Sequence, residues 1–353
     1  MTKKILLESH NLKNQATGFG VFNYQLIKAL SKLSFEDDIY LLSKKPKDLK
    51  AEFGTKFHYK KYYSLMRNPL FRTREKYDVW HSLNQNIKVE PFYKPKKYVL
   101  TIHDVNFMEE ESLDFNSDRV EFFRKKIKRA DVITFISEYA KEQTLQYFDI
   151  SGIENTIIHN GNSISDRLDC ESFKSPLDIS KPYFYTISAF LEKKNFESIV
   201  QMMKLLPDFN LIISGNCTNA YGQKIKDLIS REKLENQVFL SGKVSEQAKQ
   251  FYMKNCEAFL FPSIGEGFGL PPLEAMSFGK PIILSDKTSL PEIGGKDAFY
   301  WNNFEAEYMK NVVEDALNKY NENINYFRNS YIERAASFSW DNAAKEYLKI
   351  YEI

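Results

Sequence analysis

The chain has 353 residues, 43% hydrophobic, 15% aromatic and 27% charged, a composition that folds throughout and excludes the high-charge, low-hydrophobicity signature of disorder. That length exceeds a single small module and suits two domains, each able to bury its own core. The net charge is +2, with 29 Lys and Arg against 24 Asp and Glu in residues 1–175 and 20 against 23 in the remainder, far below the basic excess of a nucleic-acid binder.

The N-terminal MTKKILLESHNL holds an apolar run too short for a signal peptide, and no stretch approaches the roughly 18 apolar residues of a membrane span, so a cytoplasmic protein is expected. Strands are predicted at 4–9, 39–43, 77–83, 98–104, 132–137 and 156–160, separated by segments of helical period, the pattern of βα units around a parallel sheet. Gly18 and Gly20 follow the first strand and are expected to precede a helix with Phe22, Leu26, Leu30 and Leu33 on its apolar face. A dinucleotide-binding GxGxxG needs glycine where this chain has Asn23, so the nicotinamide reading is weak and a simple strand-to-helix turn is the plain alternative. His103 and Asp104 end the strand at 98–104, and their opposite side-chain directions disfavour a metal site or a triad. His10 is the other histidine placed to line a strand-end cleft. FFRKKIKR (122–129) interleaves basic and aromatic residues and reads either as a solvated helix with apolar anchors or as a peripheral contact with anionic lipid.

The stretch from Ser163 to Lys181 interrupts the periodicity, and a second series of strands is predicted at 183–188, 211–215, 238–242, 258–263 and 281–286. Between the first two, Phe196, Ile199, Val200, Met203 and Leu206 mark a helix over 195–206. A final helix is expected from Trp340, with Ser339 as its N-cap. Three widely spaced cysteines without CxxC indicate neither a disulfide framework nor a zinc site.

Ligands of open parallel sheets bind beyond the carboxyl ends of the strands, which directs attention to GEGFGLPPLEAMSFGKP (265–281). Pro271 or Pro272 is expected at the first helical position, leaving Glu266 in the loop and Glu274 in the first turn. Gly265, Gly267 and Gly269 remove bulk and let a phosphate approach main-chain N–H groups. Ionised carboxylates only accept hydrogen bonds, so a loop acid and a helix acid suit sugar hydroxyls at the two ends of a phosphate linkage. The plainer reading is a glycine turn followed by an acid that offsets the helix dipole, worth about 0.3–1 kcal/mol. After the strand ending at Ser188 come Lys193 and Lys194; one ammonium about 4 Å from a phosphate contributes roughly 4 kcal/mol at an effective dielectric near 20.

The string FPSIGEGFGLPPLEAMSFGKPII closely resembles the donor-binding signature of the retaining glycosyltransferases of family 4, which have the GT-B fold. TGFGVFNYQLIKAL, VITFISEYAKEQ, IIHNG, ISAFLEKKNFESIV, VFLSG and FSWDNAAKEYLKIYE resemble that family's segments in the usual order, whereas residues 44–76 are not diagnostic. The resemblance implies two doubly wound Rossmann-like domains facing a deep interdomain cleft. It places the acceptor-side domain at 1–170, with the helix 340–353 packing back on it, and the donor-binding domain at 171–339. It further implies that Glu266 contacts the donor sugar, Glu274 the nucleotide ribose, Phe268, Gly269 and Leu270 the sugar and phosphate through their amides, and Lys194 the phosphate. His103 matches the family's strand-end histidine facing the donor sugar, and Gly18 and Gly20 its loop beside the diphosphate and acceptor. Many members have Gly-Arg where this chain has Ser188-Ala189, which leaves Lys193 as the candidate second cation.

The activity implied is metal-independent transfer of a hexose, such as mannose or glucose, from a nucleoside diphosphate sugar to a hydroxyl of a glycan or lipid-linked acceptor with retention of configuration. The donor serves as substrate, no cofactor is expected, and no DxD metal motif occurs in the chain. Bacterial surface polysaccharide synthesis is the process the family suggests. The alternatives are a GT-B nucleotide-sugar epimerase or hydrolase, or a non-catalytic nucleotide-sugar-binding subunit.

Overall fold

A computed structural model of the chain describes residues 2–13, 17–109, 114–164, 167–177 and 179–352. The chain forms two compact units. The first runs through Gly161 and resumes at Ser339; the second is Asn162–Phe338.

The first unit is built on seven strands: β1 (Lys4–Glu8), β2 (Asp38–Ser43), β3 (His58–Lys61), β4 (Val79–Ser82), β5 (Lys97–Ile102), β6 (Val132–Phe135) and β7 (Glu154–Ile157). They pair in the order β3-β2-β1-β4-β5-β6-β7, all parallel, with Leu6 opposite Tyr40 on one side and Trp80 on the other. The central strands are buried at nearly every position because helices cover both faces, so their sequences are continuous apolar runs rather than alternations. The two edge strands differ from expectation. HYKK of β3 has no buried residue and gives no apolar signal, and β7 starts two residues before the predicted segment because Glu154 and Asn155 pair with Val132 and Ile133 at a solvated edge.

The helix Trp340–Ile350 belongs to this first unit, where it packs on the helix Gly18–Lys32. Ser339 caps it, its hydroxyl accepting from the Asn342 amide at 3.3 Å. Its base is polar and closed: His81, fully buried in β4, bonds the Tyr351 hydroxyl at 2.7 Å and the Thr101 hydroxyl at 2.8 Å. Burial holds the His81 imidazole down at about 3, aided by nearby His103. At Gly161 any Cβ would lie 2.0 Å from the Trp340 amide nitrogen, so only glycine permits this crossing.

The second unit carries β8 (Tyr183–Ile187), β9 (Asn210–Ser214), β10 (Val238–Gly242), β11 (Ala258–Phe261), β12 (Ile282–Ser285) and β13 (Phe299–Trp301) in the parallel order β10-β9-β8-β11-β12-β13. β13 is three residues long and was too short to register as a predicted strand. The predicted amphipathic helix is Phe196–Met203, with Ile199, Val200 and Met203 in the apolar core. The change of unit falls at 161/162 and not at 170/171, because the intervening residues lie on the second unit. The Asn162 side-chain Nδ2 donates to the Ser277 hydroxyl at 2.6 Å, Arg167 donates to the Ser277 carbonyl at 3.0 Å, and the Leu168 backbone amide to Gln250 Oε1 at 3.0 Å. Loss of periodicity there marks irregular backbone and not a free linker.

Candidate functional site

In the second sheet the winding reverses between β8 and β11, the place where open parallel sheets bind ligands. Lys193 and Lys194 follow β8, and the segment 262–269 follows β11, so both predicted clusters border this switch point. One carbonyl ties the two loops together: Lys193 O accepts from the Ile264 amide at 2.8 Å and from the Ser263 hydroxyl at 3.1 Å. The loop after β12 completes the frame. The Ser289 hydroxyl donates to the carbonyls of Phe268 at 2.7 Å and Glu266 at 3.2 Å, and Thr288 Oγ1 accepts from the Glu266 amide at 3.1 Å. Gly269 takes φ +120° immediately before the helix Leu270–Met276, a conformation closed to other residues.

Within this frame the Lys194 ammonium bonds Glu266 Oε1, with the Phe261 ring centroid 5.7 Å from the ammonium. Both side chains are largely buried, 9% and 13% exposed, so each charge depends on the other. Lys193 is half-buried. Glu274 does not occupy the first turn as expected. The helix begins at Leu270, earlier than either proline, and this places Glu274 one turn in, buried and paired with Lys249 at 3.0 Å. Lys249 also holds Glu246 at 2.9 Å. Burial pushes the Glu274 carboxyl up against the pull of Lys249. Burial likewise disfavours the Lys249 ammonium, but Glu274 and Glu246 outweigh it and raise its pKa.

The structure therefore gathers Lys193, Lys194, Glu266, Gly267, Phe268, Gly269, Leu270 and Glu274 at one sheet end of the second unit. Gly18, Gly20 and His103 belong to the first unit. Gly18 and Gly20 lie inside the first turn of the helix Gly18–Lys32 rather than before it, with the Gly20 amide donating to the Thr17 hydroxyl at 3.3 Å. That hydroxyl is the cap, and it starts the helix at Gly18. His103 follows β5 with Nε2 bonded to the Leu83 carbonyl at 2.9 Å and its ring edge-on to Phe19 and Phe22. A carbonyl partner fixes the proton on Nε2, and burial lowers the pKa to about 4, so the ring is neutral near pH 7 with Nδ1 as its acceptor. His10 stacks on Tyr62 at 4.3 Å and contacts the fully buried Glu8.

Sequence reasoning missed Lys249, Ser263, Thr288 and Ser289. Lys249 had only its i,i+3 spacing from Glu246 as a signal, which reads as an ordinary surface pair. The hydroxyls carried none, since their partners lie 21 to 70 residues away in sequence.

Comparison with known proteins agrees with this geometry. Residues 169–336 match the family model "Glycosyl transferases group 1". The chain is 25% identical over 285 residues to the serotype-specific mannosyltransferase WbdA of Escherichia coli, covering 75% of this chain but spanning only 34% of that protein. It is 24% identical to O-antigen chain mannosyltransferase B of Escherichia coli, covering 99% of this chain and all of that protein. Among solved structures, Anabaena HepE in complex with UDP-glucose superposes with a TM-score of 0.73 at 16% identity, covering 99% of this chain and 100% of that one. With both parallel sheets in place, the chain has the GT-B fold, and residues 169–336 of its second unit match the glycosyl transferases group 1 model.

Proposed function

We propose that the protein is a retaining glycosyltransferase that moves a hexose, mannose before glucose, from a nucleoside diphosphate sugar to a hydroxyl of a glycan or lipid-linked acceptor in bacterial surface polysaccharide synthesis. The observation that carries this reading is the pair of lysine–carboxylate contacts, Lys194–Glu266 and Lys249–Glu274, on the two sides of a loop held open by Gly269, Thr288 and Ser289. A diphosphate delivered to the loop competes with Glu266 for the Lys194 ammonium, and the carboxylate so released accepts hydrogen bonds from the sugar. Glu274 takes the ribose hydroxyls while Lys249 keeps Glu246 as a counter-ion. As the glycosidic bond breaks, negative charge develops on the leaving diphosphate, where Lys194 and the amides of 268–270 stabilise it without a metal ion. His103 Nδ1, neutral and acceptor-only, suits a donor-sugar hydroxyl; it is too weakly basic to serve as a strong general base.

The mannosyltransferase names of two relatives support the sugar, and the UDP-glucose complex of HepE supports the donor class. The test is a thermal-shift screen over nucleoside diphosphates and their sugars, followed by donor turnover with a panel of hydroxyl acceptors. Stabilisation by a nucleotide sugar together with acceptor-dependent transfer is expected. Tight donor binding with no transfer to any acceptor would reject the enzyme, and donor consumption without an acceptor would identify a hydrolase or epimerase.

A further inference from the structure

Between the edge strand β3 and β4, residues 62–78 make a long connection that buries Tyr62 and Tyr77 at its ends but exposes most of the apolar side chains between them. Leu70 is 79% exposed, Leu65 63%, Phe71 55% and Tyr63 54%. Phe92 and Tyr93, 46% and 42% exposed, adjoin them: the Arg74 guanidinium lies 5.4 Å from the Phe92 ring centroid and the Lys76 ammonium 5.3 Å from that of Tyr93. Isolated exposed apolar residues are ordinary, but a cluster of this size marks an interaction surface.

Charge identifies the partner. Arg67, Arg74, Lys76 and Lys94 are all exposed on the same two segments, and none has an ion-pair partner among the described residues. The acids nearby are already neutralised: Glu75 by Lys60 at 2.8 Å and Lys4 at 3.4 Å, Asp78 by Lys96 at 2.8 Å. Long side chains with apolar stems and cationic tips surrounding aromatic and leucine side chains match the boundary of an anionic bilayer, where rings and aliphatic groups enter the headgroup layer and cations meet phosphate. We propose that the 62–76 and 91–96 segments of the first unit form a docking surface for membranes containing anionic phospholipid.

This relocates the expected lipid contact of 122–129. In the helix Asp118–Ile127, Lys126 is buried against Glu90, and Val120, Phe123 and Ile127 are buried too, so that helix has no free apolar face. The inference deepens the reading of a membrane-side acceptor, yet its test does not depend on catalysis.

The full chain is sedimented with vesicles of phosphatidylglycerol and phosphatidylcholine, and with phosphatidylcholine alone, without donor. Binding to the anionic vesicles only is expected. Leu70→Ser with Phe71→Ser should weaken it at least tenfold, and Arg74→Glu with Lys76→Glu about fivefold or more per charge, whereas Lys125→Glu should leave it unchanged. Circular dichroism checks that the variants stay folded. Equal binding to both vesicles, wild-type binding by the Leu70/Phe71 variant, or a vesicle-independent dimer that this variant dissolves would each overturn the proposal. Transfer to a water-soluble acceptor, assayed without vesicles, reports separately on the glycosyltransferase reading.

Discussion

Each unit buries a lysine against a carboxylate, but in the first unit the lysine has several partners. Lys126 Nζ donates to the Ser82 hydroxyl at 2.6 Å and the Ile87 carbonyl at 2.8 Å and forms an ion pair with Glu90 at 3.1 Å. Glu90 in turn accepts from Arg129 at 2.7 Å and from the Tyr98 hydroxyl at 2.8 Å. In the second unit the Lys194 ammonium has a single hydrogen-bond partner among the described residues, Glu266, at a loop beyond the end of a strand. A buried charge held by several partners fixes a fold, whereas one held by a single exchangeable partner can be handed to a ligand. The difference lies in how many bonds each ammonium already makes, not in the residue types.

The most severe test is Lys126→Ala. Removing the buried ammonium from Glu90, Ser82 and the Ile87 carbonyl, with Arg129 as the carboxylate's remaining cation, should cost about 3–5 kcal/mol, read as a lower urea midpoint, and a loss below about 1 kcal/mol would break the contrast. Lys194→Ala should instead lower turnover by about a hundred- to a thousandfold, roughly 2.7–4 kcal/mol, while changing the urea midpoint far less than Lys126→Ala does. Glu274→Gln should weaken nucleotide binding by about 1.5–3 kcal/mol in calorimetric titration, with Lys249 still paired to Glu246; unchanged affinity would remove Glu274 from the site.

The smallest effect per step is on pH. Burial holds the His81 and His103 pKa values at about 3 and about 4, below the ordinary 6.5, so over that interval the folded first unit binds fewer protons than the unfolded chain. Its stability should fall as pH drops below 6.5, by about 1.4 kcal/mol per unit for each histidine. Glu274 acts in the opposite sense. Its carboxyl is raised, so the folded second unit binds more protons than the unfolded chain above the ordinary carboxylate range, and that contribution is lost as pH rises. Calorimetry between pH 6.5 and 5 should therefore show the first unit's transition moving down without a matching shift in the second. Replacing His103 by Gln should flatten the first unit's slope.

Much of the fold was legible because continuous apolar runs such as YVLTI and AFLF admit few alternatives between Gly- and Pro-rich turns. β3 and β13 escaped that reading: one is a polar edge and the other three residues long. At the site, Glu266, Glu274 and Lys194 stood out through a local motif, but what holds them did not. The Lys249–Glu274 pair spans 25 residues, and the positive φ of Thr288, +58°, has no counterpart in composition. The 62–76 segment was opaque for another reason: Tyr63, Leu65, Leu70 and Phe71 are largely exposed, so no period marks them.

The route of the chain also sets an order of events. Residues 162–338 are continuous and hold their whole core in one stretch, so the second unit can complete itself as soon as that stretch is made. Its neighbour cannot. Tyr347 and Tyr351, which close the polar seam over His81 and Thr101, are synthesised after everything else the first unit needs. During translation the first sheet must wait with that seam uncovered until the whole second unit has been made.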